Sequence, residues 1–299
     1  PRQVSGVFPI RDINRIQAMR YSRKPLNTIP INQKITDRPY QIRAVTKCCE
    51  AYEKGNRKCL LVMATGTGKT RTAASLVYVL QKAGFIQRVL FLADRRELVR
   101  QAKESFDKYI PDTPSCNLLK NREERGDDFI FSTYPTMLGA IDSERNTDGT
   151  RFFSPGHFDL IIVDEAHRSI FNKYLAIFEY FDACLLGLTA TPKQTVDQST
   201  YAFFDLPPQM PTDVYEYDEA VDKDKVLVPF YPVETSTSIL DEGITYKDLG
   251  IDEREMYEDE FMEDAISIFK ENGIVPVTVE WDYDCGNDYD RVCLLEIVF

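Results

Sequence analysis

The stretch that most constrains this chain is Leu60-Leu61-Val62-Met63-Ala64-Thr65-Gly66-Thr67-Gly68-Lys69-Thr70. An apolar run stops at a small, glycine-punctuated loop, and a lysine and a threonine then open a helical pattern. Strand, glycine loop and helix N-terminus in that order form a phosphate cradle. Backbone N–H groups point inward, the helix dipole favours an anion, and the lysine reaches the outer phosphates. Thr65, Gly66, Thr67, Gly68, Lys69 and Thr70 are therefore the expected nucleotide contacts, with Thr70 also a metal ligand. The full template places a glycine five residues before Gly68, where this chain has Met63. The bland alternative is a glycine-rich strand-to-helix turn that happens to carry Lys-Thr.

The flanking sequence repeats the strand-then-helix grammar. Helical patterns are expected from Arg38-Pro39 to about Gly55, over Arg71–Ala83 and from Glu97 to Tyr109. Short unbroken apolar runs at 60–63, 89–92, 129–132, 160–163 and 185–188 read as strands. Unbroken apolar strands alternating with helices imply an α/β fold, a parallel sheet covered on both faces. Ligands on such sheets bind at the carboxyl ends of the strands. Residues 1–36 look like an extended lead-in, with a short helix at most at 10–16. Residues 142–150 form a polar surface loop. From about 206 the chain turns proline-rich and then acidic, and 278–281 and 292–299 read as two further strands.

Charge divides the chain in the same way. The net charge is −12, but residues 1–125 carry an excess of 14 positive charges and residues 200–299 an excess of 20 negative ones. A surface for a polyanion such as DNA or RNA therefore belongs to the front half. Seven cysteines and two histidines argue against both a disulfide framework and a histidine-built metal site, and fit a reducing, cytoplasmic compartment. Cys48, Cys49, Cys59 and Cys184 are expected in the core. No run reaches the length of a membrane span. The chain starts without an initiator Met or a leader-like apolar segment, and reads as a piece of a longer protein.

Asp164-Glu165-Ala166-His167 follows the apolar run Leu160-Ile161-Ile162-Val163. Alone, such an acidic pair is more often a helix cap than a catalytic pair. Beside a phosphate loop, Asp164 suits an outer ligand for Mg²⁺ and Glu165 suits a base that orients the attacking water.

Together these motifs resemble the superfamily 2 helicases and translocases of the DEAD/DEAH type. Arg38-Pro39-Tyr40-Gln41 sits where that family places its adenine-recognising element, so Arg38 and Gln41 become candidate base contacts. Ala93-Asp94-Arg95-Arg96-Glu97-Leu98 and Ser132-Thr133-Tyr134-Pro135-Thr136 are similar to segments that touch the nucleic-acid backbone, which implies contacts by Arg95, Arg96, Ser132 and Thr133. Leu188-Thr189-Ala190-Thr191-Pro192 looks like the segment that couples hydrolysis to motion, through Thr189 and Thr191. The resemblance further implies catalytic roles for Lys69, Asp164, Glu165 and His167, with ATP and Mg²⁺ as cofactors. Its family fold is a RecA-like P-loop NTPase lobe, here placed at 37–205 after a lead-in of 1–36, with a linker and acidic extension at 206–299. The varied position at Met63 is common in that family.

A narrower resemblance is to the motor (R) subunit of type I restriction enzymes. It is carried by Asp94-Arg95-Arg96-Glu97-Leu98, by Asp164-Glu165-Ala166-His167-Arg168-Ser169, and by the Tyr215–Val221 and Val226–Pro229 segments. It implies ATP-driven pumping of double-stranded DNA, with specificity and methyltransferase subunits as partners and no membrane role. The second motor lobe with its arginine-rich motif is not in the sequence: beyond Arg168 the only arginines are Arg254 and Arg291. Neither is a nuclease constellation. Weak hydrolysis by this piece alone is therefore expected. Two other readings stay open, a strand-separating DNA repair or RNA helicase and a catalytically silent nucleic-acid-binding module.

Overall fold

The computed structural model describes residues 7–119, 128–143, 145, 149, 151–166, 168–191, 195–196 and 198–229, with nothing on the side chains of 168–173. These residues lie in the compact unit Pro1–Pro229. His167, Pro192, most of the 142–150 loop and the acidic and C-terminal stretches beyond 229 lie outside the described residues.

Among the described residues, seven strands form one parallel sheet. In chain order they are β1 (Lys58–Met63), β2 (Val89–Ala93), β3 (Ser115–Asn117), β4 (Phe129–Thr133), β5 (Leu160–Val163), β6 (Cys184–Thr189) and β7 (Asp213–Tyr215). Their spatial order is β3-β4-β2-β5-β6-β1-β7. The helices are α1 (Ile10–Ser22), α2 (Pro39–Glu53), α3 (Lys69–Lys82), α4 (Arg96–Tyr109), α5 (Tyr134–Ser143), α6 (Arg168–Tyr180) and α7 (Gln198–Phe203).

The unbroken apolar strands are explained by burial on both faces. Successive side chains alternate across the sheet, so Leu61, Met63 and Phe91 pack with α2, α3 and α4, whereas Leu60, Val62 and Leu92 pack with α5, α6 and α7. The central five strands match the five apolar runs, as expected. Two edge strands were not foreseen. β3 is three residues of polar character, and β7 lies in the stretch read as acidic linker. β7 is anchored by buried Asp213, whose carboxylate meets Arg43 Nε at 3.2 Å and Lys47 Nζ at 2.7 Å.

The lead-in also differs from expectation. Ile10–Ser22 is a helix of 13 residues, held at the amino ends of the strands by polar contacts. Arg15 Nη1 meets Asp159 Oδ2 at 2.5 Å, and the same oxygen accepts the Gln87 and Arg88 amides at 2.9 Å. Buried Asp12 accepts from Ser154 Oγ and pairs with Arg88. Cys48, Cys49 and Cys59 are buried free thiols, while Cys184, at the start of β6, is only half-buried. Among the described residues no helix is long and apolar enough to cross a membrane.

Candidate nucleotide and nucleic-acid site

Because all strands run parallel, their carboxyl ends share one edge, and the described parts of the motifs that follow β1, β2, β4, β5 and β6 sit there. The register puts Val62 opposite Thr189, Val163 opposite Leu92 and Gly187, Ala93 opposite Thr133, and Met63 opposite Tyr215. The phosphate-type loop, the acidic pair and the segments after β2, β4 and β6 are therefore neighbours across adjacent strands.

The loop after β1 is built for close approach. Gly66 and Gly68 have φ of +82° and +91°, a region that L side chains resist. Gly68 is also closely approached, since a Cβ there would lie 2.6 Å from Gln41 Nε2 and that amide would have to shift. Gly68 is the N-cap of α3 and provides no side-chain cap, so the first amides of the helix keep no intrahelical acceptor. Thr67 closes the loop internally, its Oγ1 donating to Ala64 O at 2.6 Å. Lys69 Nζ stands 3.6 Å from Glu165 Oε1.

α2 grips this loop from behind. Both Tyr40 Oη and Gln41 Nε2 donate to the Thr67 carbonyl at 2.9 Å, and Arg38 Nη1 donates to Tyr40 Oη at 2.9 Å. Gln41 is buried, with Oε1 accepting from Thr36 Oγ1. A primary amide has two N–H donors, so one remains for a further acceptor. Sequence reading singled out Gln41 but missed Tyr40, whose hydroxyl reaches the loop equally well.

The acidic pair leaves β5 in a strained turn. Glu165 has φ of +51°, and the Ala166 amide donates to Leu188 O at 2.8 Å, tying the turn to β6. Asp164 is pinned from two sides, its amide donating to Leu92 O at 2.9 Å and its carbonyl accepting from Tyr134 Oη at 3.2 Å. The Asp164 Oδ1 atom is buried and has no hydrogen-bond partner among the described residues. Burial, reinforced by Glu165 and opposed by Lys69, pushes this carboxyl up to about 6. An orphaned, destabilised carboxylate oxygen beside a lysine is a position suited to a cation.

The remaining candidates divide by exposure. Arg95 is 81% exposed at its side chain, with Asp94 Oδ2 3.7 Å away, and Arg96 is exposed as the first residue of α4. Ser132 and Thr133 are buried instead, Ser132 Oγ donating to Thr133 O and Thr133 Oγ1 sharing a 2.9 Å bond with Thr136 Oγ1. Thr189 is buried and its Oγ1 accepts the Thr191 amide at 3.1 Å, which shapes the turn after β6. Thr65 is exposed on the loop, and Thr70 is half-buried in the first turn of α3.

Residues 34–194 match the family model of the type III restriction enzyme res subunit. Two similar proteins are restriction enzyme subunits. The type I restriction enzyme EcoAI endonuclease subunit of Escherichia coli is 35% identical over 207 residues, 68% of this chain and 24% of that protein. The type I restriction enzyme EcoKI endonuclease subunit of Escherichia coli strain K12 is 33% identical over 176 residues, 52% of this chain and 15% of that protein. The chain thus spans a quarter or less of these relatives. The crystal structure of the Pyrococcus furiosus Hef helicase domain superposes with a TM-score of 0.50 at 24% identity, covering 68% of this chain and 43% of that one. That match shows a shared α/β, RecA-like fold.

Proposed function

Because the chain belongs to the family of the type III restriction enzyme res subunit, we propose that it is the ATP-binding lobe of a DNA translocase, the motor part of a type I restriction enzyme R subunit. The observation that carries this reading is the meeting of Lys69, Glu165 and the orphaned Asp164 oxygen at the open end of the α3 dipole. A structural turn has no use for a buried carboxylate oxygen left without a hydrogen-bond partner, which folding disfavours by about 1–3 kcal/mol.

The residues take these roles. Main-chain N–H groups of the Thr65–Thr70 loop and the ammonium of Lys69 hold the outer phosphates. Asp164 and Thr70 fit Mg²⁺, which when bound neutralises charge developing on those phosphates. Glu165 orients and deprotonates the attacking water, and its 3.6 Å separation from Lys69 leaves that lysine free to turn to phosphate. Gln41 fixes the Thr67 carbonyl and offers its second amide hydrogen to adenine, with Arg38 beside it. Arg95 and Arg96 are the exposed cations for the duplex backbone. Ser132 and Thr133 act there through the shape of the turn after β4, since their hydroxyls are already engaged. Thr189 and Thr191 relay the state of the loop through β6, and His167 is assigned to nucleotide-to-DNA coupling on its motif alone. Specificity and methyltransferase subunits are the proposed partners. The motor lobe is carried from 37 beyond 205 to include β7, with the extension following it.

Pumping and strand separation are distinguished on the intact protein. A translocase displaces a triplex-forming strand from duplex DNA in an ATP-dependent way and does not release a strand from a forked duplex. Strand release without triplex displacement would assign the chain to the repair or RNA helicases instead.

A further inference from the structure

The stretch that follows the seventh strand lies against the phosphate loop in a way that no assigned role explains. The ring of Tyr215 stacks on Tyr40 with centroids 3.8 Å apart and planes 3° from parallel. Tyr40 is the residue whose hydroxyl holds the Thr67 carbonyl, and Tyr215 itself accepts the Ala64 amide at 2.9 Å. Tyr215 therefore reaches the loop by two routes, directly through its main chain and indirectly through the ring stacked on Tyr40. Its hydroxyl then donates to Asp224 Oδ2 at 2.9 Å, beyond the π-helix Glu219–Lys223. The chain returns from there onto the loop. The Val226 and Leu227 amides both donate to Ala220 O, at 2.8 and 3.1 Å, and Leu227 Cδ2 lies 3.2 Å from where a Gly66 Cβ would stand.

From this geometry we propose that the main chain and ring of Tyr215 brace the phosphate loop while its hydroxyl carries that order outward, and that the Asp224–Leu227 segment is a clasp whose order follows the occupancy of the loop. The inference rests on the nucleotide reading of the loop and deepens it by adding an output. A phosphate bound in the nest orders residues 65–68, and the ordered loop supports Leu227 at Gly66 and Tyr40 at Thr67. Ordering passes through the Tyr40–Tyr215 stack to the Asp224 bond and so to the chain that leaves the lobe. Contiguous packing of this kind transmits a change because each contact has a made and an unmade state.

The test is amide hydrogen exchange over 224–229 in the intact protein, with and without ADP and Mg²⁺, beside a fluorescent-nucleotide titration. Wild type is expected to exchange the Val226 and Leu227 amides about tenfold more slowly with nucleotide bound. Tyr215→Phe keeps the ring stack and removes only the Asp224 bond. It should fold, bind nucleotide within about threefold of wild type, and reduce the nucleotide-dependent protection to about twofold or less. Leu227→Ala should do the same from the other end of the clasp. Nucleotide binding without any change at 226–227 overturns the clasp and leaves the ATP-site reading intact. Equal loss of protection with and without nucleotide in Tyr215→Phe also overturns it, because that is the signature of a merely structural bond. Failure of wild type to bind nucleotide overturns both.

Discussion

Gly68 and Asp164 carry opposite kinds of strain at the same edge of the sheet. Gly68 combines φ of +91° with a 2.6 Å approach to Gln41. Gly68→Ala is thus expected to cost about 1–2 kcal/mol from the backbone alone and to displace Gln41 from Thr67. Gly55, at the same φ of +91° but with open space around it, provides the control: Gly55→Ala should lower the thermal midpoint comparably yet leave nucleotide affinity unchanged. Asp164 carries its strain as charge. Its folded-state carboxyl, at about 6, lies above the ordinary 3.8. The folded protein therefore holds that proton more tightly than the unfolded chain, and stability is lost as pH rises through that window. Asp164→Asn should stabilise the nucleotide-free protein at pH 7–8 by up to about 3 kcal/mol, with the gain fading below pH ~4 and hydrolysis lost at every pH. Denaturant melts across pH check the first part, and no gain at pH 8 would refute it. Gly68, Lys69 and Asp164 were legible because loop, lysine and acid follow apolar runs within a few residues. Tyr40 and Tyr215 were not, since a stack between residues from opposite ends of the lobe leaves no local pattern.

At the scale of elements, what sequence periodicity caught was the buried set. The five central strands and α2, α3 and α4 are long apolar or amphipathic patterns, and each formed near its expected bounds. Among the elements it missed, α5 to α7 are short or irregular apolar segments that pack on one face of the sheet, while two others are held by polar contacts. β7 is secured by Asp213 with Arg43 and Lys47, and α1 by Arg15 with Asp159, so both read in sequence as charged, exposed chain. Arg15→Met tests α1 directly. The Arg15 and Asp159 side chains are 10% and 9% exposed, and removing the guanidinium leaves a buried carboxylate supported only by two amides. The expected loss is about 3–5 kcal/mol, read as a shift of the urea midpoint. A shift no larger than that of a surface arginine would return α1 to the status of an accessory lead-in.

On the scale of the whole molecule, the sheet sorts chemistry to one end and bracing to the other. Strand carboxyl ends bear the loop, the acidic pair and the exposed Arg95 and Arg96, while the amino ends carry the Arg15, Asp12 and Arg88 network. Part of the basic excess of residues 1–125 falls in this lobe, and the proposed path of DNA is over the carboxyl edge, where Arg95 and Arg96 are exposed. The chain spans 24% of its EcoAI relative, so the proposed motor is one part of a longer cycle, and an arginine finger from another lobe is worth about 10³–10⁵ in rate. Binding is accordingly a more direct test of this lobe than turnover. The deciding measurement is titration of the purified chain with a fluorescent ATP analogue in Mg²⁺, beside Lys69→Ala and Glu165→Gln. The account predicts saturable binding that weakens at least about tenfold in Lys69→Ala, from loss of a charge-assisted phosphate contact, and persists in Glu165→Gln. Equal affinity in wild type and Lys69→Ala would contradict it and leave the fold as a scaffold without a nucleotide site.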